Sequence, residues 1–412
     1  MHKVLVTDSS DRAALAVIRS LGRLGLYVIA AESAPFTTGS LSKYCRQRVI
    51  YPSPKCNKSR FISWIINFVK HQNVELIIPV SDYTTIPLAE YKDKIEHYCK
   101  IATPSYETVM KAADKIKTLS LAAKEKIPIP ATYCLHEPYE IIKVAHQLKF
   151  PVVIKPRMKV YWVNDKALTF KITSRNYAYN EHDLRIKYVN FVKLLSKLRI
   201  KENFFFVQEF VKGQSYGVEA LIYRGEPKAI FAHKRIREYP ISGGASTLRE
   251  SINDSCLAQL GLRALKAMGW EGVAMVEFKF ENDTGEFKLL EVNGRFWGSL
   301  ALAINAGVDF PSLLYRILIR GENVKSASYK CGLRQRWLLP GDILWLISSL
   351  LYSDRSKTKV LKEFIKSFNV KDDIISFEDF KPIFGTLLDM GRNMFEVLIG
   401  QRSIEGETKF KF

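Results

Sequence analysis

Hydrophobic and polar positions alternate between two periods over the first 80 residues. Lys3 to Thr7 (KVLVT) is a short β-branched run, Asp8-Ser9-Ser10-Asp11 is a polar turn, and Ala13 to Leu24 carries the spacing of an amphipathic helix. Gly25 stops that helix, and Leu26 to Ala31 (LYVIAA) reads as a second buried strand. A helix around Phe61 to Lys70 and a strand from Val74 to Val80 (VELIIPV) repeat the unit. Apolar strands alternating with helices predict a parallel sheet covered by helices. Ser81 and Asp82 follow the last of these strands, at the end where open α/β sheets present ligand contacts; a polar loop capping a helix is the other reading. The first turn holds no G-x-G-x-x-G, so no dinucleotide site is expected.

Between Pro104 and Pro130 the pattern changes. A helix with Asp114, Lys115 and Lys117 leads into Ile127-Pro128-Ile129-Pro130, whose prolines favour extended chain, so the first domain is expected to end near residue 110. Phe150 to Pro156 (FPVVIKP) reads as a buried strand ending in a lysine. Glu181 to Lys201 reads as a basic amphipathic helix, and Phe204 to Lys212 (FFFVQEFVK) as a strand running into Gly213. A helix-rich tail is expected from about residue 316.

The most informative segment is Gly272 to Trp297, GVAMVEFKFENDTGEFKLLEVNGRFW. Two alternating runs flank Asn282-Asp283-Thr284-Gly285, which predicts a hairpin. If the turn centres on Thr284, Glu277 and Glu291 are equidistant from it and face each other directly. Asn293 and Arg295 then share their face by the period of two, whereas Val276, Phe278, Leu290 and Val292 form the apolar face. Two carboxylates placed opposite one another repel unless a cation lies between them. Oxygen donors from Glu277, Glu291 and Asn293 suit a hard cation, Mg²⁺ or Mn²⁺, bound together with substrate phosphates. The alternative is a surface ribbon in which Lys279 or Arg295 neutralises the pair.

Composition narrows the class. The 412 residues are 47% hydrophobic and 25% charged, which excludes a disordered chain, and six scattered cysteines form no C-x-x-C pair. With no signal-peptide pattern, a cytoplasmic protein is expected. Lys and Arg number 62 against 42 acidic residues, a net charge of +20, which suits anionic ligands, an anionic membrane surface or nucleic acid. No nucleic-acid-binding signature accompanies that charge, so nucleic acid is not expected as a partner.

The E-x(13)-E-x-N-x-R arrangement, together with Lys115, the V-I-K-P strand and the Q-E-F-V-K-G segment, resembles the ATP-grasp superfamily. Lys234 to Glu250 (KRIREYPISGGASTLRE) and L-L-E-V-N-G-R-F-W-G-S more narrowly resemble its uncharacterised carboxylate-amine ligase branch. The resemblance implies a mixed α/β and α+β fold. Residues 1–112 would form a Rossmann-like preATP-grasp domain and 113–315 the ATP-grasp domain, with a lid at about 125–207 and a large lobe at about 208–315. Residues 316–412 would form a helix-rich extension. ATP would lie between the lobes, with Lys115 and Lys155 on its phosphates. The hinge Gln208, Glu209, Phe210 and Val211 would read adenine. Glu277, Glu291 and Asn293 would hold the metal, and Arg295, with Lys155, would stabilise the transferring phosphoryl group. Where the family carries a ribose-binding Glu this chain has Ser215, with Glu219 nearby as a substitute.

The family's phosphate-covering loop is glycine-rich, yet Arg157 to Phe170 (RMKVYWVNDKALTF) contains no glycine, so Arg157 or Lys159 is expected to act there by charge. The loop from Tyr239 to Thr247 holds Ser242, Gly243, Gly244 and Ser246 between Arg237 and Arg249, and is expected to bind the carboxylate substrate or its acyl phosphate. His233 is expected to be a core or loop histidine. The implied reaction is ATP-dependent joining of a small carboxylate to an amine; a non-catalytic ATP-binding regulator is the alternative. Trp337 to Leu351 is too short to span a bilayer. It is expected to bury as a helix pair completing the large lobe or, with Lys357 to Lys371, to lie on an anionic leaflet, where the substrate would be a glycan or lipid-linked. A homodimer is compatible with the sequence.

Overall fold

The computed structural model describes residues 2–135, 139–200, 204–241, 243–326, 328–353 and 355–399. Strands β1 (Lys3–Val6), β2 (Tyr27–Glu32), β3 (Gln47–Ile50), β4 (Leu76–Ile78) and β5 (Lys100–Ile101) form a parallel sheet in the order β3-β2-β1-β4-β5. Alternate residues serve opposite faces. Val4, Val6, Val28 and Ala30 pack with the helix Arg12–Arg23, while Leu5, Ile29 and Ile77 pack with the helix Lys58–Gln72. The strand order reverses between β1 and β4, which opens a crevice at their carboxyl ends. Asp8 lies there, accepting from the Ser81 and Thr84 hydroxyls, and Asp82 follows at the start of the next helix.

The second layer contains β6 (Thr132–Cys134), β7 (Val152–Pro156), the separate hairpin β8 (Val160–Val163) and β9 (Lys166–Thr169), β10 (Tyr177–Ala178) and β11 (Phe205–Glu209). Apart from the hairpin they pair antiparallel in the order β10-β7-β11-β6, covered by the helix Glu181–Lys197 through Leu184, Tyr188 and Leu195.

The largest sheet has β12 (Gly213–Tyr223), β13 (Glu226–Tyr239), β14 (Ala245–Ile252), β15 (Gly272–Glu281), β16 (Glu286–Asn293), β17 (Arg334–Arg336) and β18 (Lys371–Asp372), in the order β16-β15-β12-β13-β14-β17-β18. One face buries Val218, Ala220, Val276 and Leu289 with the helix Ser255–Met268. The other packs Leu221, Phe231 and Met275 into the core shared with the first sheet, and carries Glu277 on the same side.

The C-terminal segment differs from a separate helical appendage. It completes the large sheet with β17 and β18 and buries three aspartates against five arginines, four of them from the rest of the chain. Asp373 pairs with Arg12 and Arg249, Asp379 with Arg19, and Asp342 with Arg237 and Arg336. The helix Pro382–Leu398 lies so close to the first unit that a Cβ on Gly385 would sit 2.5 Å from the Thr37 backbone. Residues 338–342 bend the chain ahead of the helix Ile343–Tyr352, which packs with the helix Lys357–Lys366 around Trp345, Val360 and Phe364. Among the described residues no helix is long and apolar enough to cross a membrane.

Candidate functional site

The hairpin β15–β16 sets Glu277 directly opposite Glu291, with Met275 opposite Asn293. Pairs nearer the turn, from Phe278–Leu289 to Glu281–Glu286, run in a register displaced by one residue. A bulge at Leu290 absorbs the difference, so Leu289, not Leu290, fills the apolar core. The bulge keeps both carboxylates on the polar face.

Opposed carboxylates need compensation, and the structure shows its source. The Asn293 amide donates to Glu277 (2.8 Å). Lys159 Nζ lies 2.7 Å from Glu291 Oε1 and 3.0 Å from Asn293 Oδ1, and Lys115 Nζ lies 3.5 Å from the other Glu291 oxygen. Arg235 Nη2 lies 2.7 Å from Glu277 Oε2. Burial alone would raise the Glu291 carboxyl, but Lys159 and Lys115 hold it below its ordinary value. Lys279 does not take part; its ammonium stands 5.0 Å from the Phe210 ring.

Arg295 bridges the site to the first sheet. Its Nε donates to Asp82 (3.0 Å) and its Nη2 to Asn293 (3.3 Å). Burial would raise the Asp82 carboxyl, yet Arg295 and Lys159 keep it below its ordinary value, so it is ionised at neutral pH. Asp82, Lys115, Lys159, Glu291 and Asn293 line a void of about 30 Å³, room for little more than one water.

The void is narrow because the β8–β9 hairpin is fastened across it. Lys58 N–H donates to Asp165 O (3.0 Å), Ala167 N–H to Lys55 O (2.9 Å) and Trp162 Nε1 to Pro54 O (3.3 Å), while the Tyr83 and Thr169 hydroxyls meet at 2.6 Å. This glycine-free strap carries Lys159 on its approach. Arg157, by contrast, is committed to Asp114, the cap of the helix that begins at Lys115.

On β7 and β11, Lys155 Nζ donates to the Gln208 side chain (2.6 Å), and Gln208 Nε2 donates to Thr132 (2.9 Å). Burial lowers the Lys155 ammonium to about 8. The segment expected to read adenine follows at once: the Glu209 amide donates to Ala131 O and the Phe210 amide to Pro151 O, and Val211 is buried. The turn into β12 is tight, since a Cβ on Gly213 would lie 1.8 Å from the Phe280 carbonyl oxygen.

Several expected contacts fall elsewhere. Glu219 is fully buried with an oxygen 2.7 Å from His233 Nδ1, so it cannot serve an open ribose site; Ser215 is buried further along the same strand. Arg237 and Arg249 are held by Asp342 and Asp373, which already fill the role assigned to a substrate carboxylate. Ser246 is buried, its carbonyl accepting from Arg12. Gly244 offers its carbonyl to Arg235, and Gly243 adopts φ 127° near the Tyr177 hydroxyl. Ser242 lies outside the described residues. Sequence reasoning missed Arg235: a simple alternation puts Arg235 and Arg237 on one face, but the register shifts on both sides of Arg237 turn them to different partners. It also missed Arg12, whose guanidinium lies 3.9 Å from the Trp337 ring centre.

The oxygen donors of Glu277, Glu291 and Asn293 fit a hard divalent cation; here cationic groups stand against both carboxylates, the Lys159 ammonium on Glu291 and Asn293 and the Arg235 guanidinium on Glu277.

Residues 201–339 match the family model described as ATP-grasp in the biosynthetic pathway with Ter operon. The large chain of carbamoyl phosphate synthase from Methanobrevibacter smithii is 22% identical over 256 residues, covering 59% of this chain. The match spans only 22% of that protein's own length. Biotin carboxylase from Campylobacter jejuni, solved with an ATP analogue, superposes with a TM-score of 0.64 at 16% identity over 81% of this chain and 74% of that one. An L-amino acid ligase from Bacillus licheniformis gives 0.58 at 12% identity over 77% and 74%. Residues 201–339 thus match an ATP-grasp family, and the chain as a whole shares the fold of these solved structures.

Proposed function

We propose that the protein is an ATP-dependent ligase that activates a carboxylate as an acyl phosphate and joins it to an amine, releasing ADP and phosphate. The observation that carries this reading is the opposed pair Glu277–Glu291 with Asn293, contacted by Lys115, Lys159 and Arg295 and within the electrostatic reach of Lys155. A divalent cation, Mg²⁺ or Mn²⁺, held by the three oxygen-bearing side chains would neutralise charge on the transferring phosphoryl group. Lys115 and Lys155 supply fixed positive charge to a polyphosphate, and the backbone from Gln208 to Val211 reads the base. Arg295 stabilises charge on the group being transferred from its anchored position between Asn293 and Asp82. Asp82, held ionised, offers an anionic partner to an ammonium group on the amine. No side-chain nucleophile is required, because the substrate carboxylate is itself the nucleophile. The Gly243–Gly244 turn beside Arg235 remains the proposed contact for the acid.

The superfamily members named above include an amino acid ligase, which supports a C–N bond-forming reaction; the acid and amine are unspecified. The test is ADP release screened over pooled carboxylates and amines, with Glu291→Ala as the inactive control. Acid-dependent release lost in that variant supports the ligase. Nucleotide binding without acid-dependent release supports the regulatory alternative.

A further inference from the structure

The C-terminal extension presents an apolar face that stays exposed among the described residues. The helix Ile343–Tyr352 contains no charged residue; it buries Trp345 and Ser349 but exposes Ile347, Leu351 and Tyr352. Its neighbour, Lys357–Lys366, buries Val360 and Phe364 and exposes Leu361 and Ile365, and Phe368 just beyond is 59% exposed. Leu361, Ile365 and Phe368 are spaced four and three apart, so they form one stripe on that helix and the turn that follows it. Lys359, Lys362 and Lys366 are spaced three and four apart and form an exposed stripe beside it. From Arg355 to Lys371 there are six basic residues and one acidic residue, Glu363, which is already paired with Arg355.

We propose that this helix pair is a docking surface for an anionic lipid bilayer, lying in the interface with its apolar stripe among the headgroups and its lysines against lipid phosphates. The combination of an uncharged helix, exposed Leu, Ile and Phe, and a basic rim is the chemistry that such a surface selects. A second copy of the chain fits less well, because a two-fold contact would press the lysine stripe against its own image. The inference is independent of the ligase reading, since it concerns where the protein sits and not what it joins.

The experiment is flotation of the full chain with vesicles of phosphatidylcholine alone or with about one-third phosphatidylglycerol. Expected is capture by the anionic vesicles only, released at about 0.5 M salt. Two variants at exposed positions, Lys359→Glu/Lys362→Glu/Lys366→Glu and Leu361→Ser/Ile365→Ser, should each lower capture by about tenfold while keeping the parent's melting temperature. Ile365→Ser alone is the milder check if either multiple variant unfolds, and should lower capture in the same direction. Equal capture by both vesicle types, no capture by either, undiminished capture of the folded variants, or a concentration-dependent dimer abolished by Ile365→Ser would each overturn the proposal.

Discussion

Lys159 and Glu291 are 2.7 Å apart, and the same ammonium group lies 3.0 Å from Asn293. A side chain of the strap thus occupies a position suited to a metal ion. The sequence signature of the site and the absence of glycine from the strap are therefore connected: a fixed, hydrogen-bonded hairpin presents a fixed positive charge where a flexible loop would present backbone amides.

Replacing that lysine should separate two effects. Lys159→Met removes charge-assisted hydrogen bonds of roughly 1.5–3 kcal/mol, so Mn²⁺ should bind the nucleotide-free protein about ten- to a hundredfold more tightly. ADP release should fall, because the same group no longer neutralises phosphate. Titration of Mn²⁺ by electron paramagnetic resonance checks the first effect; unchanged affinity would show that the ammonium and the metal do not compete.

Lys155 gives the pH dependence its sign. Burial places its ammonium at about 8, below its ordinary value, so the charge that would face a polyphosphate is present below that pH and is lost as pH rises through it. Nucleotide affinity should therefore decline above pH about 8, and Lys155→Arg should remove the decline. The stability sign is opposite: the unfolded chain binds the extra proton, so stability rises between the folded and unfolded values, and Lys155→Met should raise the melting temperature at pH 7. Isothermal titration across pH, paired with melting curves, measures both.

The aspartates of the extension should behave as core residues. Asp373 is buried between Arg12 and Arg249 and also accepts from Gln335. Asp373→Ala leaves two buried guanidinium groups without their counter-charge, a loss of about 3–5 kcal/mol. For the same reason a chain cut near residue 330 should fail to fold. Denaturant unfolding of Asp373→Ala against the exposed control Glu378→Ala measures the difference.

Much of the site was legible because its spacing is short-range. The symmetric placement of Glu277 and Glu291 about Thr284 led to their pairing, and strand alternation put Asn293 on the same face. The bulge at Leu290 was not legible, since an extra residue leaves no trace in a period-two pattern; neither were the register shifts around Arg237. The ion pairs of Arg12, Arg237 and Arg249 join residues more than 90 positions apart, and an aspartate near the chain end carries no local sign of the arginine it will meet. Those pairs also change the meaning of the +20 charge. Arg237 and Arg249, which looked available to an acidic substrate, are neutralised internally, whereas Lys359, Lys362 and Lys366 stand exposed on the helix Lys357–Lys366.

An acyl phosphate formed at the Glu277–Glu291 site is tested most directly by hydroxylamine trapping. With ATP, Mg²⁺, pooled carboxylates and hydroxylamine in place of the amine, wild type should yield an acyl hydroxamate in step with ADP, and Glu291→Ala should yield neither. ADP release without hydroxamate from any acid, at equal rates in the two proteins, would contradict the account.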